Sequence, residues 1–252
     1  MKIQKYKKIM VWMTLCGLVF VSPLQAQDSY LSEEDLYAED VSSGNQISDP
    51  LESINRYTFA FNDFVYSNVL QPIASGYTAI TPDPVEEGAS NFFDNLNYPV
   101  RLAGNLLQGR LHGAWVETGR FAVNSTVGLG GVMTPADNLD CLARMKPEDV
   151  GQALGSWGVS EGPYLVLPLL GPSNLRELVG MVGDRAVNPL DRPYSLIDDW
   201  NWEWRLALSG TEFIVSSPEI LQRYQQMKGS AIDPYSSLKN GFTQYRRNAV
   251  AE

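Results

Sequence analysis

One stretch of this chain matches a nucleophile motif: Gly158-Val159-Ser160-Glu161-Gly162, a G-x-S-x-G pattern. That pattern activates a serine by setting it on a sharp turn between a strand and a helix, with a histidine supplied later in the chain. Here Pro163 and an apolar run follow, and the only histidine, His112, comes earlier. A triad in another chain order is the formal alternative. It makes a lipase or esterase acting through Ser160 the competing reading. One histidine and the single cysteine, Cys141, expected in the mature chain cannot build a zinc site. Asp137, Asp140, Glu148 and Asp149 read as solvated or capping carboxylates rather than Ca²⁺ ligands. Gly128-Leu129-Gly130-Gly131-Val132-Met133 looks superficially like a phosphate-cradling loop. No strand pattern precedes it and no G-K-[ST] follows, and its other residues are apolar. The chain is therefore expected not to be an enzyme and to need no cofactor and no metal.

The elements around these residues point elsewhere. Trp157 to Ser173 is a run of large apolar side chains broken by Gly158, Gly162, Pro163, Pro168, Gly171 and Pro172. Each proline removes a backbone donor, so neither a regular helix nor a central strand is expected. Irregular apolar backbone survives at membrane depth where protein or a water-filled cavity covers it. A buried loop beneath a large core is the alternative. Lys2, Lys5, Lys7 and Lys8 precede an apolar stretch from Ile9 to Val21 and then Leu24-Gln25-Ala26. That is the layout of a secretory signal, expected to cover residues 1–26 and too short for a confident membrane span. Thr14-Leu15 before Cys16 lacks the small residues of a lipobox, so an unacylated mature chain starting at Gln27 is expected. Its removal takes four lysines and no acid, moving the net charge from −10 to −14. So acidic a chain should not bind nucleic acid, whose phosphates demand basic patches. Residues 27–48 are acidic and polar and read as a disordered leader.

From Asp49 the punctuation is helical. Asp49-Pro50-Leu51-Glu52 and Asp83-Pro84-Val85-Glu86 each offer a capping aspartate, a proline in the first turn and a glutamate. Helices are expected near 50–70, 84–96, 99–108, 111–126, 147–155, 173–186, 202–214, 218–228 and 234–248. No stretch sustains strand-like alternation, so the fold class is mainly α. On the first helix Leu51, Ile54, Tyr57, Phe61, Phe64 and Val65 form one apolar flank. Phe59, Tyr66 and Leu70 form a second, with Asn55 and Asn62 between them. A core-facing helix needs one stripe. Two suit a helix with protein on one side and lipid or a partner on the other, unless the helix is buried all round. Trp200, Trp202 and Trp204 suit a membrane–water interface, or alternatively a core cluster.

Five segments, taken in order, resemble one family. They are DPLESINRYTFAFND (Asp49–Asp63), SNFFDNLNYPVRLAGNLLQGR (Ser90–Arg110), GRFAVNSTVGLGGVMTPAD (Gly119–Asp137), EDVGQALGSWGVSEGPYLVLPLLGPSNLRE (Glu148–Glu177) and DPYSSLKNGFTQYRR (Asp233–Arg247). The family is the MlaA/VacJ outer-membrane proteins, which maintain lipid asymmetry in Gram-negative bacteria. The resemblance spans residues 49–248 and implies a helical ring embedded in the periplasmic leaflet of the outer membrane. An amphipathic channel through the ring would take misplaced phospholipid from the outer leaflet to a soluble periplasmic lipid carrier, beside a trimeric porin. Asn55, Arg56, Phe59, Asn62, Arg120 and Asn124 are the candidates for the channel lining. For each polar one the alternative is a satisfied hydrogen bond between helices. Gly128, Leu129, Gly130, Gly131, Val132 and Met133 are the candidates for a gating loop, unless they form only a tight packing turn.

Overall fold

Helix punctuation survives into the structure, though the capping aspartates do not. The computed structural model describes residues 47–190, 199–228 and 233–251. The expected signal segment, Cys16 and nearly all of the acidic leader lie outside these residues. α1 (Glu52–Val65) widens into a π turn (Tyr66–Leu70) and continues as α2 (Gln71–Ile80). The sequence expectation stopped near residue 70. The π turn falls just before Pro72, where a regular ladder would call for the N–H that proline lacks. Asp49 does not cap α1, which starts without a side-chain cap. Its carboxylate instead accepts from Asn55, the Tyr235 hydroxyl and Lys239, so tertiary partners outbid the local role. Asp83 also fails to cap its helix.

α3 (Asp83–Leu96), α4 (Tyr98–Leu107), α5 (Leu111–Thr126), α6 (Val150–Ser156), α7 (Leu175–Val187), α8 (Trp202–Lys228) and α9 (Pro234–Ala251) complete the helices. Asp149 caps α6 through the Gln152 amide and Asn174 caps α7 through the Glu177 amide. The two helices expected at 202–214 and 218–228 are one, running through Pro218. Pro218 cannot donate to the Ile214 carbonyl, but the buried Ser217 hydroxyl donates there at 2.7 Å. The helix therefore continues.

The proline-broken run, expected to form neither a regular helix nor a central strand, holds a short two-stranded hairpin. β1 (Tyr164–Leu167) and β2 (Gly171–Asn174) pair antiparallel, with Val166 opposite Pro172. Val166 donates its amide away from β2, to Asn55. The facing Pro172 therefore has no ladder bond to lose, which is how a proline fits a strand.

Two small apolar clusters stand where one large core might be. Tyr66, Leu70 and Ala74 pack with Leu221 and Tyr224 of α8. Tyr164, Val166 and Tyr235 pack with Phe59 and Phe242. α6 and α7 cross at glycines, and a Cβ added to Gly180 would lie 2.5 Å from the Gly151 Cα. No larger residue fits that crossing.

Much apolar surface stays bare. On α1 the second flank meets protein, while Leu51, Ile54, Tyr57, Phe61 and Phe64 are exposed, Tyr57 to 79%. Leu175, Leu178, Val179 and Val182 of α7 are exposed at i, i+3, i+4 and i+7. Trp200, Trp202 and Trp204 are exposed too, Trp202 to 68%, which removes the core-cluster alternative. No helix among the described residues is long and apolar enough to cross a membrane.

Candidate functional site

The channel and loop candidates singled out from the sequence are held by the fold in two polar clusters, and a third cluster joins residues the sequence did not mark as candidates. The first joins α1 to the hairpin. Asn55 is 2% exposed, and its amide donates to the Tyr164 carbonyl at 3.0 Å while accepting the Val166 N–H at 2.9 Å. Two helical turns on, Asn62 donates to Leu167 at 2.9 Å and accepts the Leu169 N–H at 2.7 Å. The seven-residue spacing puts both amides on one face of α1. They complete the outer edge of β1 as a neighbouring strand would. Leu169 sits at φ 64°, unusual for a residue with a Cβ. Its amide is held by Asn62 and its carbonyl by the Tyr66 hydroxyl at 2.8 Å, so the tip of the hairpin is fixed at both atoms. Arg56 faces outward, paired to Glu52 and Asp233 at 2.8 Å each and lying 4.3 Å over the Tyr235 ring. Phe59 packs edge-on against the same ring at 5.9 Å.

The second cluster carries the glycine loop. Arg120 is buried on α5, donating to the Leu142 carbonyl at 2.8 Å and to Asp137 at 2.5 Å. Asn124 accepts the Ala136 amide at 3.1 Å. Both hold the segment that follows the loop. After α5 ends, Leu129, Gly130 and Gly131 take φ values of 55°, 77° and 98°. Their turn is tied back through Gly130 N–H to Ser125 and Gly131 N–H to Asn124. The buried Asn95 amide bonds both Ser125 and the Gly130 carbonyl. Leu129, Val132 and Met133 project outward, Leu129 exposed to 69%. The base of the loop is thus rigid and its tips are apolar. The two glycines separate strain from packing. A Cβ on Gly130 meets nothing within 4 Å, whereas one on Gly131 would lie 2.4 Å from Asn95. Gly130→Val is expected to cost about 1–2 kcal/mol through its left-handed backbone alone. Gly131→Val should cost clearly more, because it also displaces Asn95. Thermal melts of the two variants side by side check the order.

The third cluster lies where α6, α7 and α9 meet. Arg246 is buried and grips Asp149 with two bonds of 2.7 and 3.0 Å, while also pairing with Glu177. Asp184 accepts the Val150 amide at 2.9 Å. Burial, and next the Asp149 carboxylate, push Asp184 up to about 7. Burial raises Glu177 as well. These side chains are far apart in sequence, and no local motif marks them.

The chemistry proposed for single residues finds no catalytic setting. Ser160 is exposed, with helix α6 before it and strand β1 after it, the reverse of a nucleophile elbow. His112 is exposed at the start of α5. Asp149 caps α6, Asp137 pairs with Arg120, and buried Glu148 accepts from Gln108 and Arg110. Among the described residues no cluster of His, Cys, Asp or Glu suits a metal ion.

Comparison with known proteins adds a consistent set of likenesses. The sequence model of a family described as MlaA lipoprotein matches residues 47–249. The Haemophilus influenzae protein named intermembrane phospholipid transport system lipoprotein MlaA is 30% identical over 209 residues, 81% of this chain and 80% of its own. The Escherichia coli K12 protein of the same name is 30% identical over 199 residues, 78% of this chain and 76% of its own. A solved structure reported as "Structural basis for maintenance of bacterial outer membrane lipid asymmetry" superposes with a TM-score of 0.66 at 30% identity. It covers 81% of this chain and 99% of that one.

Proposed function

The chain belongs to the MlaA lipoprotein family, and from that membership we propose that it maintains outer-membrane lipid asymmetry by intermembrane phospholipid transport. Phospholipid that strays into the outer leaflet would enter an amphipathic channel and pass to a soluble periplasmic carrier. The observation that carries this reading is the bare apolar surface of α1 and α7, where no helix among the described residues is long and apolar enough to cross a membrane. Such helices suit immersion in a single leaflet, held there by burial of apolar area at about 25 cal/mol per Å². The working domain is residues 49–248, exported by the signal at 1–26 and lying in the periplasmic leaflet beside a porin trimer. It acts without covalent catalysis.

Within this scheme Asn55, Asn62, Arg120 and Asn124 shape the lipid path by holding the hairpin and the glycine loop in place. Arg56 offers a cation on the outward side of α1, while Phe59 packs inward on the Tyr235 ring. The glycine loop borders the path and selects which leaflet supplies lipid, and Gly130→Val would bias it towards one state. A lipid flux unchanged by that variant at normal protein levels would reduce the loop to a packing turn. Relatives bear the name lipoprotein, whereas here Cys16 lacks a lipobox. An unacylated chain beginning at Gln27 is the expected product, and a diacyl or triacyl adduct in its intact mass would overturn that.

Deleting the gene tests the function. Surface-exposed phospholipid should rise and cells should become detergent-sensitive, and Ser160→Ala should restore both to normal. Unchanged outer-leaflet composition in the deletion would refute the transport reading. Failure of Ser160→Ala to complement, at normal levels, would revive the hydrolase.

A further inference from the structure

One face of α7 ends in a charge without a counter-charge. Its inner face lies on α6, where Gly180 crosses Gly151 and a Cβ on Gly183 would meet Val150 at 2.7 Å. Its outer face carries Leu175, Leu178, Val179 and Val182, all exposed. Arg185 stands three residues beyond Val182 and seven beyond Leu178, which puts it one turn further along the same side. Among the described residues its guanidinium has no ion-pair partner, and its Nε–H is buried with no acceptor. The neighbouring Asp184 does not relieve it, because that carboxylate turns inward to the Val150 amide. Other arginines of the fold are paired, as Arg56, Arg101, Arg110, Arg120, Arg176 and Arg246 illustrate. The Arg185 Nη groups are not enclosed as its Nε is, so an anion from outside the chain can reach them and supply the missing counter-charge.

We propose that the outer face of α7 binds a phospholipid, its phosphate on Arg185 and its acyl chains along Leu178, Val182 and Leu175. The inference rests on the lipid-transport reading and adds to it a specific lipid site. Guanidinium and phosphate match as two-pronged donor and acceptor. Ten residues separate Leu175 from Arg185, about 15 Å of helix. That is half of a hydrocarbon core roughly 30 Å thick, so the stripe fits one leaflet with Arg185 at headgroup level. The stripe is purely aliphatic. A protein-binding patch is usually centred on an aromatic anchor, which favours acyl chains as the occupant here.

The test uses full-length protein in nanodiscs of phosphatidylethanolamine and phosphatidylglycerol, doped with a phospholipid carrying a diazirine midway along one acyl chain. Mass spectrometry then locates the adducts. Wild-type protein should be labelled between Leu175 and Val182. Arg185→Glu should lower that labelling about fivefold or more, Arg185→Lys should keep most of it, and millimolar inorganic phosphate should not compete. Thermal melts confirm that the variants fold. Equal labelling of the Arg185→Glu protein overturns the proposal, and so does competition by phosphate alone. Labelling of other helices but not of α7 in wild type also overturns it, as expected if a protein covers that face. Wild-type protein labelled nowhere would overturn the transport reading instead, so the two failures are distinguishable.

Discussion

Arg246→Met is expected to destabilise the protein by about 3–5 kcal/mol, the usual effect of stranding buried charges. The side chain is buried between Asp149, held by two bonds, and Glu177. Methionine fills similar volume but leaves two carboxylates facing one another without a cation. α6, α7 and α9 converge on this cluster, so their docking should loosen together. Denaturant unfolding should show a lower midpoint at pH 7, with part of the loss recovered near pH 5 as the carboxylates protonate. Asp184 adds a pH dependence of the same sign in the wild-type protein. Its carboxyl is raised to about 7 from an ordinary value near 3.8. A raised acid contributes stability that is full below about pH 4 and is lost as pH climbs through 7. The wild-type melting temperature should therefore fall between about pH 4 and 7 and level off above that. Asp184→Asn should flatten that slope, which for a single proton is at most about 1.4 kcal/mol per pH step of one. A wild-type melting temperature that does not vary over this range would contradict the assignment.

The second large effect is expected at the asparagine clamp. Asn55→Leu removes an acceptor from the Val166 amide and a donor from the Tyr164 carbonyl, both buried. At about 1–3 kcal/mol for each stranded group, the loss should total roughly 3–4 kcal/mol. Asn62→Leu frees the Leu169 amide and should cost less, because that end is only partly buried. Hydrogen exchange separates these effects from a general loosening. Val166 should exchange faster in the first variant and Leu169 in the second, with α4 and α5 unchanged. Uniform acceleration along the chain would show that the asparagines serve global stability rather than the hairpin.

Most helix starts and the two-sided first helix were legible in the sequence, because each is a local pattern, whereas the start expected at Pro218 lies inside α8. The hairpin was not legible. Its strands are four residues long, carry prolines, and are completed by side chains of α1 rather than by a third strand. No period-two signal survives that arrangement. Asp49 had the right spacing for a cap, but Tyr235 and Lys239, nearly two hundred residues away, draw its carboxylate elsewhere. The Arg246 cluster joins residues 69 and 97 positions apart. Only the fold brings them together. The same holds for the polar channel candidates: residue type allowed a satisfied hydrogen bond for each, but only the fold names the partner.

The clamp also bears on how this chain travels. Residues 164–170, YLVLPLL, form a short apolar β-prone segment whose strand edges could recruit a second chain. In the folded protein both edges are closed to strand addition. Asn55 and Asn62 occupy the free side of β1, and Pro172 removes a donor from the free side of β2. The asparagine guard does not exist until α1 has folded onto the hairpin. The interval between synthesis and folding is therefore when this protein is most exposed to self-association, and the docking of α1 is the step that ends it.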